Sequence, residues 1–122
     1  MKETYMKNSI IKAAVVFLVI VGMQASVAFA TTAKARHILV KSRYECENIK
    51  NNILNGADFA EMARMYSTCP SGRKGGDLGE FSPGQMVREF DEVVFTEDIG
   101  KVHGPVRTQF GFHLIEITER SE

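Results

Sequence analysis

Two histidines and one cysteine carry most of the reactive chemistry in this chain. His37 precedes Ile38-Leu39-Val40 and His113 lies between Phe112 and Leu114-Ile115, so both imidazoles fall in apolar, strand-forming surroundings near a buried face. A histidine placed this way is either a hydrogen-bonded structural residue or a group beside a cleft, and spacing alone leaves both readings open. Cys69 stands in Cys69-Pro70-Ser71-Gly72, a turn-forming setting where a thiol is partly exposed and can lie near a histidine. Cys46 shares an apolar helical stripe with Ile49 and Ile53 and reads as a small buried hydrophobe. His37, Cys69 and His113 have ligand types that suit zinc, but they contain no short-spaced ligand pair, and no metal is expected. The two cysteines form no disulfide framework, and both thiols are expected to stay free. His103 reads as a loop residue.

These side chains must be positioned by a small set of elements. Ala35 to Val40 reads as a strand, rich in apolar and β-branched residues with no breaker. From Tyr44 the apolar period lengthens to that of a helix, which stops at Asn55-Gly56. Asp58, with Glu61 three residues on, caps a second helix whose expected buried face is Phe59, Met62, Ala63 and Tyr66. A long turn follows from Cys69 to Gly76, in which Arg73 and Lys74 read as solvated side chains. Leu78 to Phe81 is a short strand, and Ser82-Pro83-Gly84 breaks it before a third helix carrying Val87, Phe90, Val93 and Val94 and ending near Gly100. Gly104 to Thr108 and Phe112 to Thr118 are two further strands, joined too closely for a parallel crossover. The order implies an α+β domain with one mostly antiparallel sheet.

The first thirty residues follow another pattern. Ala13 to Val21 is continuously apolar, Lys2, Lys7 and Lys12 precede it, and Ala28-Phe29-Ala30 offers the small residues a signal peptidase admits. Residues 1–30 are therefore expected to be a secretory signal cleaved after Ala30, and residues 31–122 the mature domain. The apolar stretch is short for a bilayer span, so no membrane association is expected after cleavage, although an uncleaved segment would anchor the domain. Export puts the domain in a periplasmic or extracellular space. Removing the segment takes away three Lys and one Glu and leaves twelve basic and fourteen acidic residues. A mildly acidic surface of this kind excludes the basic footprint of a nucleic-acid binder. A chain of 122 residues is also too short for separate cofactor and substrate lobes.

Six blocks of residues, in order, carry a family resemblance: His37-Ile38-Leu39-Val40-Lys41, Asn55-Gly56-Ala57-Asp58-Phe59, Cys69-Pro70-Ser71-Gly72, Gly75-Gly76-Asp77-Leu78-Gly79-Glu80-Phe81, Gly84-Gln85-Met86-Val87 with Phe90, and Gly104-Pro105-Val106 through Thr108-Gln109-Phe110-Gly111-Phe112-His113. From about Ala35 to the C-terminus the sequence resembles the parvulin family of peptidyl-prolyl cis/trans isomerases. The resemblance implies a four-stranded antiparallel sheet surrounded by helices, acting without a cofactor on Pro-containing segments of unfolded exported polypeptides. It also implies catalytic roles for His37, Cys69 and His113, and a prolyl pocket of Leu78, Met86 and Phe90, edged by Thr108, Gln109 and Phe110. Cys69 could attack the substrate carbonyl or act only as a polar group near the rotating amide; rotation needs no nucleophile, which favours the second. Family members that require phospho-Ser or phospho-Thr before proline carry a basic cluster in a long loop after the first strand. Here Lys41-Ser42-Arg43 is short, and no phosphate requirement is expected. A monomer is expected, and the competing class is a holdase that binds extended Pro-containing segments without catalysis.

Overall fold

The computed structural model describes residues 31–121, so the expected signal segment lies outside the described residues. Four strands form one sheet: β1 (Ala33–Val40), β2 (Asp77–Phe81), β3 (Val102–Thr108) and β4 (Gly111–Arg120), in the order β2-β1-β4-β3 with every neighbouring pair antiparallel. Three α-helices, α1 (Arg43–Leu54), α2 (Phe59–Tyr66) and α3 (Arg88–Thr96), and a 3-10 turn (Pro70–Lys74) complete the fold. The expected four-stranded α+β architecture is the one observed.

The alternation of side chains along β1 and β4 divides the core in two. Ala33, Ala35, Ile115 and Ile117 pack with Phe81, Phe90 and Val94 on the face covered by α3. Ile38, Val40 and Leu114 pack with Cys46, Ile49, Phe59 and Ala63 on the face covered by α1 and α2. Each large apolar side chain buried this way contributes about 1.5–3 kcal/mol. His37 and His113 occupy core positions on the α3 face, at 5% and 3% exposure. Arg36 and Glu116 stand opposite each other across β1 and β4 and pair at 2.9 Å, while the Arg36 guanidinium lies 4.5 Å from the Phe59 ring centre, tying both strands to α2.

Local chemistry explains the helix ends. The Ser42 hydroxyl accepts the Glu45 N–H and the Asp58 carboxylate accepts the Glu61 N–H, both at 3.0 Å, so α1 and α2 start on capped N-termini. Two residues separate β1 from α1, which leaves no long loop there. The third helix ends at Thr96, short of the expected Gly100. The Thr96 hydroxyl donates back to the Glu92 carbonyl at 2.6 Å, and Arg120 from β4 donates to the carbonyls of Val94 and Glu97, so the chain leaves the helix with acceptors satisfied.

Other expectations need correction. Tyr66 is 41% exposed, because it is the last residue of α2 and Ser67 is already extended, turning the chain back toward β1. The long turn expected from Cys69 to Gly76 is present and is organised as the 3-10 turn. His103 belongs to β3, facing Ile115, with Nε2 at 2.8 Å from the Asp98 carbonyl oxygen. The ladder is irregular between His103 and Val106, and β3 continues on both sides of Gly104-Pro105.

Candidate functional site

The site is built on β1 and β4. Leu39 of β1 faces His113 of β4, so His37 lies one diagonal step away on the same side of the sheet. The two Nδ1 atoms are 3.0 Å apart, and one ring must donate while the other accepts. Thr108, at the end of β3, accepts the Phe110 N–H at 3.1 Å and lies 2.7 Å from His113 Nε2. With its oxygen already accepting, the Thr108 hydroxyl is free to donate to Nε2. We assign the tautomers from this network: His113 carries its proton on Nδ1 and donates to His37, whose own proton then sits on Nε2. Phe90 of α3 stands nearly perpendicular to both imidazoles, its ring centre 5.4 Å from each. Burial, reinforced by His113, lowers the pKa of His37 to about 4, and burial lowers that of His113 to about 4. The pair is neutral near pH 7.

The Cys69 segment is laid along β1 by backbone and side-chain hydrogen bonds. Thr68 N–H donates to the Leu39 carbonyl at 2.8 Å, and Ser67 Oγ accepts the N–H groups of Leu39 (3.1 Å) and Cys69 (3.3 Å). At the other end of the turn, His37 N–H donates to the Gly76 carbonyl at 2.9 Å. Gly76 has φ +87°, and a Cβ there would run into the His37 carbonyl, so only glycine allows this approach. The Cys69 thiol accepts from the Ser71 hydroxyl at 3.3 Å.

Above the histidines lies a cavity of about 350 Å³, at the small end of ligand-sized pockets. His37, Cys69, Leu78, Met86, Phe90, Phe110 and His113 all line it. The fold thus brings together seven of the nine residues expected at the site. Thr108 is buried and holds His113 from behind the wall, while Gln109 is exposed on the β3–β4 turn and is not among the lining residues. Leu39, Thr68, Pro70 and Val87 also line the cavity and were not anticipated. Leu39 lies two residues from His37 on one strand, so strand alternation places it on the same face; the others are neighbours of Cys69 or Met86. Among the described residues no Asp, Glu, Lys or Arg lines the cavity. The arrangement provides an apolar, uncharged cup for an apolar ring, with a thiol and a neutral imidazole pair on its walls.

The sequence matches the family of the PPIC-type PPIase domain over residues 7–121. It is 44% identical over 90 residues to the foldase protein PrsA of Geobacillus sp. (strain WCH70), an alignment covering 73% of this chain and 33% of that protein. The chain spans about a third of the length of the curated relatives it matches. The crystal structure of the peptidylprolyl isomerase PrsA from Bacillus anthracis superposes with a TM-score of 0.74 at 37% identity, covering 77% of this chain and 44% of that one. The solution structure of NmPin, the parvulin of Nitrosopumilus maritimus, superposes with a TM-score of 0.67 at 32% identity, covering 74% of this chain and 98% of that one.

Proposed function

The chain belongs to the PPIC-type peptidyl-prolyl isomerase family, the parvulins, and from that premise we propose that it rotates Xaa–Pro bonds in exported polypeptides by gripping the prolyl ring in the apolar cavity while the preceding carbonyl turns. The single observation that carries this reading is the uncharged cavity standing directly on the buried His37–His113 pair.

Rotation of an Xaa–Pro amide crosses a barrier of roughly 18–20 kcal/mol, because conjugation is lost as the nitrogen twists out of plane. No bond is broken, so the protein needs only to bind the twisted amide better than either planar form. Leu78, Met86, Phe90 and Phe110 hold the ring, and the unbranched Met86 adapts its shape to either isomer. The planar amide is the more polar form, so transfer into a site without charged walls favours the twisted one. The histidine pair fixes the floor of the cup: each Nδ1 is spent on the other ring, and His113 Nε2 is spent on Thr108. Neither imidazole is hydrogen-bonded to the Cys69 thiol, whose partner is Ser71. A cysteine nucleophile is commonly activated by a hydrogen-bonded base, and among the described residues none is bonded to Cys69, so this geometry favours Cys69 as a polar wall group over covalent attack.

The substrates are Pro-containing segments of unfolded exported chains, in keeping with the signal-like residues 1–30 and with relatives named foldases. The site works as a monomer, in a periplasmic or extracellular space, or on a membrane if the N-terminal segment stays attached. Among the described residues no helix is long and apolar enough to cross a membrane. The residue before proline needs no phosphate: Arg43, just past β1, is taken up by Glu47 at 3.9 Å and by the Phe112 ring at 5.3 Å.

The test is cis/trans exchange in Ala-Xaa-Pro peptides, followed by NMR line shape with the full chain and with Met86→Ala and His113→Ala. Acceleration by the wild type that falls in both variants supports the reading. Peptide binding without acceleration would overturn it in favour of a holdase on the same fold.

A further inference from the structure

A second concavity, of about 310 Å³, adjoins the first, and Thr68, Cys69 and Pro70 line both. An extended chain advances roughly 3.3–3.6 Å per residue, so a polypeptide with its proline in the first cavity reaches the second within a few residues. The charged side chains lining the second are both cationic: Arg64 from the last turn of α2, and Arg73 from the 3-10 turn. Among the described residues no carboxylate lines it.

The fold sets these two arginines on one wall. Gly75, at φ +69°, follows the turn that carries Arg73, and a Cβ there would stand 2.8 Å from Ala60 Cβ and 3.6 Å from Arg64 Nη2. Glycine therefore lets α2 and the Arg64 guanidinium settle against the turn. Arg64 commits Nη1 to Glu61 at 3.2 Å. Arg73 has no ion pair or side-chain hydrogen bond among the described residues. Its neighbour Lys74 lines a different concavity, so Arg73 and Lys74 are not one undifferentiated solvated turn. A concave wall of one charge sign, with one member unpaired, attracts an anion.

We propose that this second concavity is a specificity subsite for an acidic side chain of the substrate polypeptide, an Asp or Glu within a few residues of the isomerised proline, held by Arg73 with Arg64 in support. The assignment rests on the adjoining cavity being the prolyl site.

The experiment uses peptide pairs that differ only by Glu or Gln, the substitution placed in turn at each position flanking the Xaa–Pro bond. Binding to the full chain and acceleration of exchange are both read by NMR. At one or more positions the Glu peptide is expected to bind and turn over about two- to fivefold better than its Gln twin, the scale of a partly exposed ion pair. The ratio should fall to about one in Arg73→Gln and at high salt, and persist in Lys74→Gln. Twins that are indistinguishable at every position overturn the subsite, as does a preference that survives in Arg73→Gln or vanishes in Lys74→Gln. Peptides accelerated without Glu preference remove the subsite alone. Glu preference in binding without acceleration removes the isomerase reading and leaves the subsite standing.

Discussion

Burying two neutral imidazoles ties the stability of this fold to pH. In the unfolded chain both histidines take up protons as pH falls through their ordinary value of 6.5, whereas in the folded chain His37 and His113 do so only near about 4. The unfolded state therefore holds more protons throughout that window, and stability must fall as pH falls. The contribution is fully present above 6.5 and lost below about 4. For one ring with these two values the loss between pH 7 and pH 5 is about 2 kcal/mol, and for both it is about 3–4 kcal/mol. That is a large share of the 5–15 kcal/mol typical of a domain. With a urea m-value of about 1 kcal/mol/M, the unfolding midpoint should drop by about 3 M between pH 7 and pH 5. Circular dichroism of the full chain in urea reads this directly. In His113→Gln the drop should shrink to half or less, since one titrating ring is gone and the other loses a neighbour that depresses its pKa. A midpoint that holds between pH 7 and pH 5 refutes the neutral buried pair, and an undiminished drop in His113→Gln assigns the effect elsewhere.

Three further outcomes are expected. Gly76→Ala should lower stability by about 2–3 kcal/mol, because the left-handed backbone and the His37 carbonyl both oppose a Cβ; the urea midpoint at pH 7 is the check. Cys69→Ser should keep the isomerisation rate within about tenfold of wild type, whereas a covalent role would cost about a thousandfold or more in the same exchange assay. Both thiols should be free: Cys69 should alkylate in the folded chain, while Cys46, fully buried and with its thiol pushed up to about 11, should alkylate only on unfolding. An intact mass two units low would instead reveal a disulfide.

What could be read from the sequence was what local chemistry decides. Asp58 with Glu61, and Asn55-Gly56, mark helix ends by side-chain capping and by a glycine at φ +113°, and the helices end where those residues stand. The apolar, strand-forming surroundings of His37 and His113 marked each as near a buried face, but their sharing one face and one hydrogen bond depends on the β1–β4 register, which pairs residues some 76 positions apart and which no local pattern encodes. Tertiary partners explain the misses as well. The third helix stops early because Arg120, far along the chain, collects its last carbonyls. His103 joins a strand because Ile115 of β4 offers it a partner on the far side of Gly104-Pro105, where the local pattern only begins to read as a strand. Thr108 and Gln109 are adjacent, yet one is buried against His113 and the other exposed, a distinction set by the orientation of the β3–β4 turn. Arg73 and Lys74 part in the same way, each lining its own concavity.

The most direct test of the account is to locate the substrate ring. Intermolecular NOEs between the prolyl ring protons of a bound Ala-Xaa-Pro peptide and side-chain protons of the full chain would report it. The account predicts cross-peaks to the Met86 methyl, the Leu78 methyls and the Phe90 ring, together with cis/trans exchange peaks of the same peptide in the same spectrum. Exchange peaks accompanied by prolyl NOEs only to residues outside this cavity would contradict it.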